Sequence, residues 1–148
     1  MTILVYDGTH LATDTGATDG RVMWETTKAW YHNDQHPTIL SGVGSLKSIL
    51  LMRDWYVTGA NPDKFPTQQT EDYRCDFIVV TNEGLVRYED TYIPIEHNKE
   101  PCAFGHGRDF AYGVLAMGGT AEQAVQVANK YSVDCGIGVA LYSLDKCV

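Results

Sequence analysis

The chain opens on TILVY, a β-branched and aromatic run, turns at Asp-Gly-Thr-His and returns as LATD. This pattern predicts a hairpin of two strands, Thr2–Tyr6 and Leu11–Asp14. A turn-rich TGATDG follows, and RVMWETTKAWYH is rich enough in Val, Trp, Thr and Tyr to predict two more strands around Lys28, which makes that lysine a strand residue. TILSGVG predicts a short strand, Thr38 to Ser41, running into glycines. SLKSILLMRDWYV then places Leu46, Ile49, Leu50 and Val57 on one helical stripe. GANPDKFPTQQTED, with two prolines, reads as a loop, and RCDFIVVT–NEG–LVRYED as a second hairpin. TYIPIEHNKEPCAFGHG reads as irregular. Two helices follow it: one carries Phe110, Ala111, Val114 and Leu115 and ends at Gly118-Gly119, and the next opens on the capping box Thr120–Gln123 and carries Ala121, Ala124, Val125 and Ala128. IGVALYSL closes the chain as a strand.

Strands, helix, strands, two helices and strand, in that order, predict a layered α/β arrangement with two antiparallel sheets face to face and helices outside. No internal repeat and no linker divides the chain, so residues 1–148 read as one domain.

Composition narrows the classes of function. Hydrophobic residues make up 44% and charged residues 20%, a balance that folds and is not disordered. A net charge of −8 with no Lys/Arg cluster argues against nucleic-acid binding. The densest acid runs are pairs such as Glu71-Asp72 and Glu89-Asp90, which suit a solvated face better than a mimic of nucleic acid. Cys75, Cys102, Cys135 and Cys147 lack metal-ligand spacing and read as thiols of a reducing cytosol, so no metal and no other cofactor is expected. The longest apolar run, Ile49 to Met52, is far short of a membrane span, and no leader pattern opens the chain, which points to a soluble cytoplasmic protein.

Several smaller motifs add little. Gly42-Val-Gly44-Ser-Leu-Lys47 lacks phosphate-loop spacing. His32 and His36 are four apart around Asp34, but Pro37 rules out a helical metal pair. Trp24, Trp30 and Trp55 fit core and interface packing.

The remaining pattern is more specific: Thr2 near the start, Ala12-x-Asp14-x-x-Ala17-Thr18, Lys28 in the next strand, a Ser41-Gly42 turn before a helix, and Gly105-His106-Gly107-Arg-Asp-Phe-Ala-Tyr-Gly113 at a helix start. Taken singly, Thr2, Asp14 and Lys28 read as ordinary strand and turn residues. Together and in this order they resemble the proteasome β-subunits and the HslV peptidase, above all the short proteasome-like proteins of bacteria and phages.

The resemblance implies an N-terminal nucleophile (Ntn) hydrolase, with a four-layer αββα sandwich and threonine peptidase or amidohydrolase activity. With Met1 removed, Thr2 would carry nucleophile and base on one residue, because a free α-amine titrates near 7.7–8.0. Lys28 would sit beside the Thr2 hydroxyl and favour its alkoxide, Asp14 would hold Lys28, and the backbone N–H near Gly42 would be the oxyanion donor. His106 stands where the family usually has a hydroxyl residue between glycines; it reads either as a hydrogen-bond partner of the α-amine or as a satisfied loop histidine. Asp134, in Ser132-Val-Asp-Cys-Gly-Ile137, is displaced by two positions from where the family has an acid. The implied partners are a peptide or protein substrate, further copies in a closed homo-oligomer, and an ATP-dependent unfoldase. The alternative is an inactive member of the same fold that binds a host protein for a phage or mobile element.

Overall fold

The computed structural model describes residues 2–67 and 74–147. Met1, the last part of the expected 59–72 loop and its Glu71-Asp72 pair lie outside the described residues.

The first hairpin forms as its pattern predicts. β1 (Ile3–Tyr6) and β2 (Leu11–Asp14) pair antiparallel with Leu4 opposite Thr13. Their turn is held by the Asp7 carboxylate, which accepts the N–H groups of Thr9 and His10. β3 (Gly16–Thr18) and β4 (Met23–Glu25) make a small ribbon. A five-stranded antiparallel sheet follows in sequence order: β5 (Ala29–Asn33), β6 (Pro37–Gly44), β7 (Cys75–Thr81), β8 (Gly84–Tyr88) and β9 (Ile95–Asn98). The chain then crosses to the first sheet as β10 (Cys102–Gly105), and β11 (Val139–Tyr142) completes it in the order β10-β1-β2-β11. The helices are α1 (Leu46–Val57), α2 (Arg108–Ala116) and α3 (Ala121–Tyr131).

Side-chain alternation along the strands sorts the apolar residues into three buried layers. Leu4 and Tyr6 of β1 meet Leu11, Ile39, Val43, Ile78, Val80 and Leu85 between the sheets. Ile3 and Val5 face the other way, beneath Ala121, Ala124, Val125 and Ala128 of α3. Leu40, Phe77 and Val79 lie under Ile49, Met52 and Trp55 of α1. The result is the four-layer αββα sandwich.

Five local expectations need correction. Lys28 is outside the strands, one residue before β5. Ser41-Gly42 makes no turn, because β6 continues in register through Gly44, opposite Cys75. Gly42 is glycine for packing: a Cβ there would lie 2.8 Å from the Asp76 carbonyl oxygen and 2.9 Å from Ile49. The buried stripe of α1 is Ser48, Ile49, Met52 and Trp55, while Leu46, Leu50 and Val57 are exposed. In a helix apolar on most sides, the bulk of Met52 and Trp55 decides which face turns inward. The segment expected to be irregular supplies two edge strands, β9 and β10, the former mostly exposed and so lacking an apolar alternation. In α2 only Ala111 is fully buried, and Phe110 stacks outside on Tyr131.

Candidate active site

β2 ends at Asp14, so its carboxylate emerges at the edge of the first sheet's core. Oδ1 accepts the Lys28 ammonium at 2.8 Å and the Ile3 N–H at 3.1 Å, and Oδ2 accepts the Gly136 N–H at 3.2 Å. Asp14 is 1% exposed and Lys28 8% exposed, so the ion pair is withdrawn from water. Burial of that kind is tolerable only because the remaining lone pairs are occupied. The ammonium is one shared acceptor oxygen away from the peptide nitrogen that follows Thr2.

Thr2 is itself buried, at 9% exposure, and its carbonyl accepts the His106 N–H at 3.0 Å. The two glycines around His106 have separate reasons. Gly105 has φ of +102°, and a Cβ on it would lie 2.0 Å from the Thr2 carbonyl oxygen, so only glycine lets β10 press against the start of β1. Gly107 caps α2 against α3, where a Cβ would meet Cys135 Sγ at 2.8 Å and Ala128 at 2.9 Å.

Thr2, Gly44, Gly105 and His106 line one cleft of about 670 Å³, whose other walls include Val43, Asp76 and Arg108. The His106 side chain is exposed at its edge. Gly42 is absent from this lining; the glycine at the cleft is Gly44, whose φ of +108° and close approach to the Arg74 carbonyl demand glycine. Strand alternation fixes where the Gly44 amide points. Ser45 gives its N–H to the Arg74 carbonyl on the β7 side, so Gly44 addresses the opposite side, toward β5. The β5 register would set Thr26 there, but Thr26 donates to Thr15 instead.

One functional group carries no side-chain signature in the sequence. The Gly136 amide is a backbone group on the loop between α3 and β11. That loop is bound to the end of β2 by Thr15 N–H to the Gly138 carbonyl, Gly16 N–H to the Gly136 carbonyl and Gly138 N–H to Thr15 Oγ1. Cys135, beside the ion pair, is a buried thiol pushed up by that burial. Asp134 is half-buried and its N–H caps onto Ser132 Oγ; its charge is felt at Cys135. All four cysteines are buried. Among the described residues no group of three His, Cys, Asp or Glu could hold a metal ion, and no helix is long and apolar enough to cross a membrane.

The layered core is a proteasome-like, Ntn-hydrolase-type αββα fold, and comparison with solved structures bears out that fold. The BPH protein of Thiobacillus denitrificans matches with a TM-score of 0.71 at 17% identity, over 96% of each chain. A structure of the same protein in complex with epoxomicin gives 0.69 at 16%, over 96% of this chain and 97% of that one. Eukaryotic HslV from Trypanosoma brucei gives 0.65 at 15%, over 96% and 98%. Anbu, an ancestral β-subunit, from Yersinia bercovieri gives 0.65 at 8%, over 95% of this chain and 80% of that one. No family model and no curated protein matches the sequence.

Proposed function

We propose that the protein is an N-terminal threonine hydrolase of peptide or amide bonds, active once Met1 is removed. The observation that supports this most strongly is the closed Asp14–Lys28 pair, tied to the Ile3 N–H and set beside Thr2 at the wall of a cleft. The Thr2 hydroxyl attacks the substrate carbonyl while its own α-amine takes the proton. The Lys28 ammonium favours the alkoxide and keeps the amine from protonating early, and Asp14 fixes the lysine. The Gly44 N–H, in place of the Gly42 N–H expected from sequence, meets the charge of the tetrahedral intermediate. The α-ammonium then protonates the leaving amine, and water, deprotonated by the same amine, hydrolyses the Thr2 ester. His106 borders the reacting groups through its backbone bond to Thr2, and its side chain is a second polar contact for substrate.

Intact mass and hydrolysis of internally quenched peptides test this together. The expected result is loss of one methionine, turnover by the wild type and none by Thr2→Ala. Epoxomicin, present in the Thiobacillus denitrificans complex, should raise the melting temperature of the wild type only. A retained Met1 with no turnover would leave the inactive binding-protein reading, which the replacement of a hydroxyl by His106 favours.

Leu46, Leu50 and Leu51 on α1 and the Phe110–Tyr131 stack on the opposite layer are exposed apolar ground, which supports a closed homo-oligomer. Light scattering that returned a monomer would exclude it. An ATP-dependent unfoldase is the partner such a ring would call for, and ATP-dependent degradation of a folded substrate in extract is its test.

A further inference from the structure

The cleft beside Thr2 is the open mouth of the gap between the two sheets. Along β7, Val80 and Ile78 point into that gap and belong to its apolar core. The next residue on the same face is Asp76, which lines the cleft. Its partner across the ladder is Val43, the residue before Gly44. A carboxylate therefore stands one strand away from the N–H set to meet the reacting carbonyl.

This carboxylate is poorly compensated. Its one ion pair among the described residues is with Arg87 at 3.8 Å, and Arg87 is drawn closer to Glu89, at 3.0 Å. Arg87 is also engaged over the face of Phe104 behind the cleft wall. Burial pushes the Asp76 carboxyl above its usual range; Arg87 and Arg108 pull it down and Glu89 pushes it up. Among the described residues, the charged side chains lining the cleft are Asp76, Glu89, Asp90 and Asp109 against Arg74 and Arg108, an acidic balance.

We propose that Asp76 is a specificity-determining residue that selects substrates with a cationic side chain, lysine or arginine, next to the bond that is cut. This rests on the hydrolase reading of Thr2 and adds to it the class of substrate. A substrate ammonium or guanidinium would approach Asp76 from the side that Arg87 leaves open, with Glu89 and Asp90 at the rim strengthening the field. Arg74 and Arg108 would turn away peptides with an acidic residue at that place.

The test uses internally quenched peptides identical except for arginine, leucine or glutamate placed on either side of one bond. The kcat/KM is measured for each, and the Kd of the corresponding uncleaved amides by fluorescence polarisation. The wild type should prefer arginine over glutamate by about tenfold in both measures, a preference that falls as salt is raised. Asp76→Asn should remove most of it, read as the ratio of arginine to leucine peptide within each variant, and Asp76→Lys should invert it. Turnover with no preference for arginine, or a preference that survives Asp76→Asn, overturns the proposal and leaves the hydrolase intact. Arginine-selective binding that depends on Asp76 but without turnover keeps the cation subsite and removes the hydrolase.

Discussion

Two carboxylate–cation pairs flank Thr2, and they are built in opposite ways. Asp14 and Lys28 are 2.8 Å apart, almost wholly buried, with both carboxylate oxygens accepting backbone N–H groups as well. Asp76 and Arg87 are 3.8 Å apart, 35% and 24% exposed, and the arginine is shared with Glu89. A closed pair fixes a charge in space and holds it there. An open pair holds its charge loosely and leaves a face for a ligand. In the proposed hydrolase the same residue chemistry serves as scaffold on one side of Thr2 and as recognition surface on the other.

The comparison breaks most severely at Lys28. Lys28→Ala leaves the Asp14 carboxylate buried with only the Ile3 and Gly136 amides, and loss of one partner from such a pair costs about 3–5 kcal/mol. The expected result is a much lower denaturation midpoint and no hydrolysis. Lys28→Arg should keep more stability than Ala but no activity, because a planar guanidinium cannot take the position of a compact ammonium. Equal stability of wild type and Lys28→Ala in urea would show that the pair is not closed.

Gly105→Ala is next in size. The added methyl would strike the Thr2 carbonyl and force a left-handed residue into a strand end, so a loss of about 2 kcal/mol or more is expected. Because the displaced group is Thr2 itself, kcat should fall while the Asp76-dependent selectivity among residual products is kept. A variant with wild-type kcat would place the reacting hydroxyl away from β10.

How much of this was legible in the sequence differs between the same two sides. α3 is legible because its apolar residues are small, strictly periodic and preceded by a capping box that forms, with Thr120 and Gln123 each accepting the other's N–H. The inward face of α1 is not legible because Leu46, Ile49, Leu50 and Val57 offer as good a stripe as the buried one, and only packing against Phe77 and Tyr88 selects the latter. Asp14 and Lys28 were legible as members of a family pattern, although Lys28 turned out to precede its strand. The Gly136 amide was not, since a backbone donor leaves no trace in residue type. Gly42 and Gly44 were two residues apart in one strand, and only register distinguishes a glycine needed for Ile49 from one at the cleft. Asp76 did leave a signal: in CDFIVVT it interrupts the inward row that Ile78 and Val80 continue.

The closed side also carries strain. Ile137, a β-branched residue between Gly136 and Gly138, sits at φ of +67° with its side chain exposed. The left-handed conformation costs such a residue about 1–2 kcal/mol, and glycine gives back part of that through chain entropy. Ile137→Gly should therefore be neutral to stabilising by up to about 1 kcal/mol in a denaturant titration, with hydrolysis retained as long as the Gly136 amide still holds Asp14. A clear loss of stability would mean that the Ile137 side chain is covered, as in an assembled oligomer, and the loss should then depend on protein concentration.

The smallest effect, and the one that most sharply separates the two pairs, is expected at Asp76. Burial raises its carboxyl above the ordinary value, with Arg87 and Arg108 opposing and Glu89 assisting, so the fold favours the protonated form. The sign follows by linkage: the stability associated with that group is fully present below the ordinary carboxylate value of 3.8 and is lost as pH rises through the raised value in the folded state. At neutral pH the ionised Asp76 is therefore a slight burden on the fold, discounted further because its side chain is more than a third exposed to screening solvent. Asp76→Asn should leave the melting temperature at pH 7 unchanged or slightly raised, and the difference from wild type should vanish as the pH is lowered below 3.8. Asp14→Asn, measured in parallel, should lose stability at pH 7 because Lys28 is left buried without its counter-charge. If the two asparagine variants lost stability alike, both pairs would be scaffold, and the acidic cleft would have to select its substrates without Asp76.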